Sequence, residues 1–229
     1  MKDVTKLEEI LGVTFNDKDL LKSALTHRSY LNENPSWPLP QNERLEFLGD
    51  AVLELAVTRY LYLNFENPEG ELTSYRAALV NSIMLTRLAA DLNLNDFLLL
   101  SRGEAKDEGK ARMYILANTV EAVIGAIYLD GGYDVAEAFI MRVLIPYMDE
   151  VLEKKLYRDA KSYFQEKAQE VEGITPTYHV IKEWGPDHAK NFIVGVYIGD
   201  NLVAEGEGSS KQIAQQHAAE NGIKIKEWE

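Results

Sequence analysis

The chain has 229 residues, of which 46% are hydrophobic and none is cysteine. This length and apolar content predict one large domain or two small ones and exclude global disorder. The lack of cysteine excludes disulfides, thiolate metal sites and cysteine nucleophiles. No apolar run reaches the ~18 residues of a membrane span, and the N-terminus lacks the features of a signal peptide. We therefore expect a cytoplasmic protein without a membrane partner.

The formal net charge is −13, and both parts of the chain contribute to it. Residues 1–157 carry 16 basic and 25 acidic side chains, and residues 158–229 carry 8 and 12. Binding to nucleic acid usually requires an excess of lysine and arginine, because the phosphate backbone is negatively charged. An RNA-binding function would therefore depend on the local placement of cations rather than on bulk charge.

The first part of the chain has a helical pattern. Apolar residues recur at helical spacing over residues 20–31, 42–63 and 113–129, and strand signals are scarce. Loops are indicated by the Pro-rich and Gly-containing stretches at 33–41 and 66–71. We predict an all-helical domain over residues 1–150, followed by a charged linker over residues 151–157.

The second part, residues 158–229, has a different pattern. An amphipathic helix at its start is followed by three strand-like segments, of which 191–198 alternates apolar and smaller or polar residues with a period of two. A last helix follows, with Ser209 or Ser210 as its N-cap. The predicted architecture is a multi-domain α and α+β protein, with the helical domain followed by an α-β-β-β-α domain.

Three carboxylates share one face of the predicted helix at 42–63. At 100° per residue, Glu43, Glu46 and Asp50 fall within roughly 60° of one another. Like charges in this arrangement repel each other, and a hard divalent cation such as Mg²⁺ would remove the repulsion. The alternative interpretation is a solvated acidic face with no function.

The predicted helix at 113–129 carries few strongly polar residues, among them Asn118 and Glu121. The helix should be buried on most sides, and a buried carboxylate is costly unless it is paired or bound to a metal. One alternative is a structural ion pair. If this face instead packs against Glu46 and Asp50, the oxygen atoms of the two helices form a metal site suited to phosphodiester hydrolysis.

Several motifs together carry a family resemblance: ALTHRSY (24–30), NERLEFLGDAVL (42–53), PEG (68–70), RGE (102–104) and ILANTVEAVIGAIYLDGGY (115–133). They resemble bacterial ribonuclease III, and residues 158–226 resemble the double-stranded RNA-binding domain that follows in that family. The resemblance implies a homodimeric endoribonuclease that cleaves double-stranded RNA with Mg²⁺, or with Mn²⁺ as a substitute. It also implies 5′-phosphate and 3′-hydroxyl products and substrates among ribosomal precursors and messenger hairpins.

The resemblance assigns roles to acidic residues. Glu46, Asp50 and Glu121 match the family's metal-binding carboxylates, and Asp50 and Glu121 match the two that are most often assigned as catalytic. Glu43 and Glu69 match two accessory acidic positions that line the valley between the subunits.

One position departs from the family pattern. Asn118 stands where the family usually has an aspartate metal ligand, and its amide oxygen brings no charge. One hypothesis is an active enzyme in which Asn118 remains a ligand. A second is a double-stranded RNA-binding protein whose cleavage is weakened or absent because of Asn118. A third is an acidic helical interaction module without RNA function.

The resemblance also implies RNA contacts in the second domain. They are Gln165 and Glu166 in its first helix, Pro186 and His188 in the following loop, and Ser210 and Lys211 at the start of its last helix. Where the family usually carries two or three lysines, this chain has Lys211, Gln212 and Gln215. Fewer cations release fewer counterions, so we expect modest RNA binding with a shallow dependence on salt.

Overall fold

A computed structural model describes residues 3–106, 109–186 and 190–228. The chain divides into two compact units, Met1–Tyr157 and Arg158–Glu229. Each unit has a hydrophobic core of its own. The two units are described separately below.

The described part of the first unit is mainly helical, with one isolated β-bridge between Thr26 and Leu99. Its helices α1 to α9 are Val4–Leu11, Lys18–Ala24, Arg28–Glu33, Glu43–Asn64, Glu69–Val80, Ser82–Asp91, Lys110–Gly131, Tyr133–Val143 and Met148–Glu153. Short 3₁₀ turns lie at Leu94–Asp96, Glu104–Lys106 and Ile145–Tyr147. The most extensive contact in the unit is between the two 22-residue helices α4 and α7, and α2, α5, α6 and α8 pack against this central pair.

Helix α7 is apolar enough and long enough to cross a membrane, but 61% of its most apolar stretch is buried inside the unit. A core helix meets the same criterion, and the buried positions 122–127 of α7 form a continuous run. The apolar character of α7 is therefore accounted for by its place in the core.

Helix α4 is joined at its start to the segment that precedes α3. The backbone N–H of Asn42 donates to the carbonyl oxygen of Thr26 (2.9 Å), and its buried side-chain amide donates to the carbonyl oxygen of Ala24 (3.3 Å). Buried polar groups are normally paired in this way. These bonds fix the first turn of α4, which carries the acidic motif, beside the THRSY segment.

The second unit contains helix α10 (Ala160–Glu172), strands β1 (Thr177–Trp184), β2 (Asn191–Ile198) and β3 (Asn201–Gly208), and helix α11 (Lys211–Ile225). The strands form an antiparallel sheet in the order β1-β2-β3. Both helices pack on the sheet face that presents Val194, Val196 and Ile198. This architecture confirms the predicted fold class, and Ser210 is the N-cap of α11.

Residues 151–157, which the sequence predicts as a linker, pack onto the first unit. Val151 is fully buried in the core of that unit, and Leu152 contacts the same core. The Tyr157 ring packs edge-on against Tyr75, with 4.6 Å between the ring centroids. Apolar residues within the charged segment hold it in place, and the division between the units falls after Tyr157.

Candidate active site

The acidic residues of α4 and α7 come close because the two helices cross at a pair of glycines. A Cβ atom at Gly49 would lie 1.7 Å from the carbonyl oxygen of Glu121, and one at Gly125 would lie 2.2 Å from the carbonyl oxygen of Leu45. Only glycine lets the two backbones approach this closely. The crossing therefore places the Glu46–Asp50 turn of α4 directly against the Glu121 turn of α7.

The carboxylates at this crossing influence each other's ionisation. Burial, together with the negative charges of Asp50 and Glu46, raises the pKa of Glu121 from 4.5 to about 7. Burial is also the main cause that raises the pKa of Glu46, followed by the charges of Glu43 and Asp50. A side-chain hydrogen bond from Asn118 to Glu46 partly offsets that rise.

The cluster formed by Glu46, Asp50, Asn118 and Glu121 is loosely spaced. Within residues 3–106, 109–186 and 190–228, no three histidine, aspartate or glutamate side chains lie as close together as the ligands of a metal ion. After burial, the charges of Asp50 and Glu46 nevertheless contribute to the raised pKa of Glu121. The three carboxylates therefore share one electrostatic environment without converging on a single point.

A cleft of about 390 Å³ opens beside this cluster. Its lining includes His27, Arg28, Glu43, Glu46, Glu104 and Asn118, but not Asp50 or Glu121. Glu43 lies at its rim, where its carboxylate is 3.6 Å from the guanidinium of Arg28. The cleft thus adjoins one side of the acidic cluster and adds both cationic and anionic groups.

Glu69, predicted as an accessory acidic residue, lies apart from the cluster within one chain. It begins α5 and accepts a hydrogen bond from the Thr73 hydroxyl (3.1 Å). Its side chain lines a second groove together with Tyr62 and Arg76. The structure therefore brings together Glu43, Glu46, Asp50, Asn118 and Glu121, and it leaves Glu69 outside that group.

In the second unit, the predicted RNA contacts lie on the two helices and at the end of β1. Gln165 and Glu166 are exposed on α10. The Ser210 hydroxyl accepts a hydrogen bond from the Ile213 N–H at the start of α11 (3.2 Å). The Lys211 ammonium lies 5.7 Å from the centroid of the Phe192 ring. Pro186 follows β1, and His188 lies outside the described residues.

Comparison with known proteins agrees with both units. The pattern of the Ribonuclease-III-like family matches residues 17–148, and that of the double-stranded RNA binding motif matches residues 160–226. Ribonuclease 3 of Carboxydothermus hydrogenoformans is 44% identical over 98% of this chain and 96% of its own length. The chain belongs to the ribonuclease III family. Ribonuclease 3 of Borreliella burgdorferi is 41% identical, over 98% of this chain and 91% of that protein.

A solved structure gives the same assignment for the first unit of this ribonuclease III family member. The nuclease domain of ribonuclease III from Campylobacter jejuni is 43% identical, with a TM-score of 0.57. It covers 63% of this chain and 97% of that domain. The matched 63% of the chain is close to the share that the first unit, Met1–Tyr157, occupies.

Sequence reasoning missed Glu104 as a candidate site residue of this family member. Glu104 lines the same cleft as Glu46 and Asn118, and its negative charge acts on His27. The RGE motif at 102–104 was the available signal, but the residues between 99 and 109 show no periodicity from which a position could be inferred. The structure supplies that position through hydrogen bonds to α3.

The Arg102 N–H donates to the Glu33 carboxylate of α3 (3.2 Å), and the other bonds centre on Ser29. Its hydroxyl accepts a bond from the Ser101 N–H (3.1 Å) and lies 2.8 Å from Nδ1 of His27. The Ser101 hydroxyl in turn accepts a bond from the Glu104 N–H (3.2 Å). The Ser29 N–H also donates to His27 Nδ1 (3.3 Å). The THRSY motif thus holds the RGE loop against the cleft.

Proposed function

We propose that this chain is a metal-dependent endoribonuclease that cleaves double-stranded RNA into products with 5′-phosphate and 3′-hydroxyl ends. The observation that carries the proposal is the pairing of two features in one chain. One is the acidic cluster at the α4–α7 crossing, where the negative charges of Asp50 and Glu46 help to raise the pKa of Glu121. The other is a double-stranded RNA binding motif in the second unit.

The residue types of the cluster suit a hard divalent cation, which we propose to be Mg²⁺, with Mn²⁺ as a substitute, and the loosely spaced carboxylates would have to move closer together to hold it. Their carboxylate oxygens are the ligands that such ions prefer, and a cation would relieve the repulsion that, after burial, raises the pKa of Glu121. Glu46, Asp50 and Glu121 would hold the ion, and the amide oxygen of Asn118 would complete the set. When bound, the ion would activate water and stabilise negative charge on the phosphate.

The remaining steps belong to the protein's own side chains. Asp50 is exposed on α4 and is therefore accessible to a phosphodiester, whereas Glu121 is half-buried and is held by the core of the unit. We assign these two as the catalytic pair. Asn118 orients Glu46 through their hydrogen bond. Glu43 and Glu69 are assigned as accessory acids, and Glu43 keeps Arg28 at the rim of the cleft.

The second unit would hold the duplex. Double-stranded RNA hides its base edges in a deep major groove, so proteins read its shape, its 2′-hydroxyls and its phosphates. We assign minor-groove contacts to Gln165 and Glu166, which are exposed on α10, and to Pro186 and His188, which lie between β1 and β2 in the sequence. Ser210 and Lys211 would contact phosphate at the N-terminus of α11, where free N–H groups favour anions.

We further propose that the chain acts as a homodimer through α4. Phe47 lies between the acidic positions and is 81% exposed, and Leu55 and Tyr62 continue an apolar stripe along the same face. The structure of the Campylobacter jejuni nuclease domain is described as having a region involved in dimer formation. The family's usual setting, the processing of ribosomal and messenger RNA in the cytoplasm, is proposed for this chain as well.

Sedimentation velocity tests the dimer. We expect the unmodified chain to sediment as a dimer and Phe47→Glu to sediment as a monomer, because a charge would be buried without a partner. Ile83→Glu is the matched control, since Ile83 is 71% exposed on α6. A monomeric unmodified chain, or a Phe47→Glu variant that remains dimeric, would refute this interface.

The activity is tested by incubating a long RNA duplex with the full chain, first with Mg²⁺, then with Mn²⁺, and then with a chelator. We expect cleavage with either ion and none with the chelator. Glu121→Gln should abolish cleavage and keep RNA binding, and Glu9→Gln, which changes an exposed acid on α1, should leave both unchanged.

The same assay separates the alternative function. Binding of the duplex without cleavage in either ion would identify a double-stranded RNA-binding protein instead of a nuclease. Recovery of cleavage in Asn118→Asp would then show that the missing negative charge was the cause. Absence of both binding and cleavage at low salt would contradict any RNA function.

A further inference from the structure

The second unit contains a polar cavity of about 310 Å³ between the start of α10, strand β1 and the start of α11. Lys161, Ser162 and Gln165 of α10 line it on one side, and Gln212 of α11 lines it on another. Two of these residues, Gln165 and Gln212, lie in or beside the predicted RNA-contacting segments. The cavity therefore opens where duplex RNA is proposed to bind.

Lys161 is held in this cavity by two contacts. Its ammonium donates a hydrogen bond to the side-chain oxygen of Gln215 on α11 (2.7 Å) and lies 5.2 Å from the centroid of the Tyr178 ring. The first contact joins α10 to α11, and the second joins α10 to strand β1. An ammonium has three donors, so the bond to Gln215 leaves two for another acceptor.

Tyr178 contributes a donor to the same cavity. Its hydroxyl is buried and has no hydrogen-bond partner among the residues that the structure describes. Burial, with the charge of Asp159, raises the pKa of Tyr178 to about 12, so the hydroxyl keeps its proton. An unpaired buried hydroxyl is costly, and a ligand oxygen that accepts from it would recover that cost.

The contact with Lys161 gives Gln215 a different interpretation from the one that the sequence suggests. From the sequence, Gln215 marks a cation missing from the first turn of α11. In the structure, Gln215 binds a lysine of another helix and so brings a positive charge to that turn. The Asp159 carboxylate also lines the cavity, where its negative charge opposes a phosphate, and it accepts hydrogen bonds from the Ser162 N–H and hydroxyl as the N-cap of α10.

We propose that Lys161 and Tyr178 form a phosphate subsite for one strand of duplex RNA beside the N-terminus of α11. The subsite rests on the proposed RNA-binding function and adds to it a cation from α10. Because Gln215 and Tyr178 already restrain the lysine, little side-chain entropy is lost on binding. The Lys161 ammonium and the Tyr178 hydroxyl would each donate to an oxygen of that phosphate.

The salt dependence of RNA binding provides the test. Each phosphate that a cation neutralises adds about 0.9 to the slope of log K against log salt for a B-form DNA duplex, and we apply a similar value to RNA. Binding of the full chain to a duplex RNA of about 20 base pairs, longer than the ~16 that one such domain spans, is measured by fluorescence anisotropy with a chelator present. Lys161→Gln should lower the slope by about 0.9 and weaken binding several-fold at low salt. Lys167→Gln is the control, because Lys167 lies on another face of α10 and pairs with Glu170 (2.7 Å).

Two further variants separate charge from position. Tyr178→Phe should weaken binding a few-fold with the slope unchanged, since it removes a donor but no charge. Gln215→Ala should also weaken binding while retaining the slope, since Lys161 keeps its charge but loses its anchor. If the parent chain binds RNA and Lys161→Gln has the same salt slope as the parent, the subsite is refuted and the proposed RNA-binding function is not. Failure of the parent chain to bind RNA would refute the proposed function and the subsite with it.

Discussion

Replacing Gly49 by alanine should damage the protein through the helix crossing that builds the acidic cluster. The new Cβ atom would lie 1.7 Å from the carbonyl oxygen of Glu121, where ordinary contacts begin near 3.4 Å. The obstacle is backbone, so no side-chain rotation relieves it, and α4 and α7 must separate. In an open helix position the same change would stabilise by about 1 kcal/mol.

The size of the stability loss in Gly49→Ala can be estimated from the usual cost of overpacking a core. Inserting a methyl group into a close-packed core typically costs about 1–3 kcal/mol, and a clash between two backbones belongs at the upper end. For a unit of this size, about 3 kcal/mol corresponds to a melting temperature lower by roughly 6–12 °C. Separation of the helices also moves Glu121 away from Asp50 and Glu46, so cleavage should fall by more than the stability loss explains.

The assay is thermal unfolding by circular dichroism, followed by duplex cleavage at a temperature where both proteins are folded. Gly70→Ala is the control, because Gly70 lies in α5 and a Cβ atom there meets no atom within 4 Å. We expect that variant to be as stable as the parent or up to about 1 kcal/mol more stable. A Gly49→Ala variant with unchanged melting temperature and unchanged cleavage would refute the close crossing.

Three further predictions concern the site itself. Because the pKa of Glu121 is raised from 4.5 to about 7, the folded state binds this proton more tightly, and stability in chelator should fall as the pH rises from about 4.5 to 7. Glu121→Gln should lack that fall. In urea unfolding at pH 8 it should be about 1–2 kcal/mol more stable than the parent, after allowance for partial exposure. Near pH 4 the two proteins should be equally stable. Asn118→Asp should lower the Mg²⁺ concentration for half-maximal cleavage, since it adds a negative ligand; an increase would contradict ligation by this residue. Ser29→Ala should speed amide hydrogen exchange over residues 101–106 and slow cleavage, because each lost hydrogen bond is worth about 1 kcal/mol; Ser74→Ala, which loses only a bond within α5, should do neither.

The sequence carried enough information for the fold class and for the acidic positions. The period-two alternation around Val194 and Val196 identified the sheet, and the spacing of Glu46 and Asp50 placed them on one helix face. These patterns are local, because side-chain direction in a strand or helix is set by the backbone period. The family motifs around them then indicated which helices belong together.

What the sequence could not provide depends on contacts between distant segments. The closeness of Glu121 to Asp50 results from Gly49 and Gly125, two residues that carry no side chain and gave no chemical signal. The position of Glu104 depends on the hydrogen bonds of Ser29, 72 residues before Ser101 along the chain. Lys161 meets Gln215 across 54 residues. Residues such as Gln215 are misread when each position is considered alone.

Direct measurement of cation binding tests the central claim, which is that carboxylates from α4 and α7 hold one divalent ion. Mn²⁺ is titrated into the full chain and its Glu121→Gln and Glu9→Gln variants, and the binding is followed by calorimetry and by the electron paramagnetic resonance of free Mn²⁺. We predict binding by the parent and by Glu9→Gln, and an affinity at least about tenfold weaker in Glu121→Gln, equivalent to about 1.4 kcal/mol. Equal affinity in all three proteins would contradict the account.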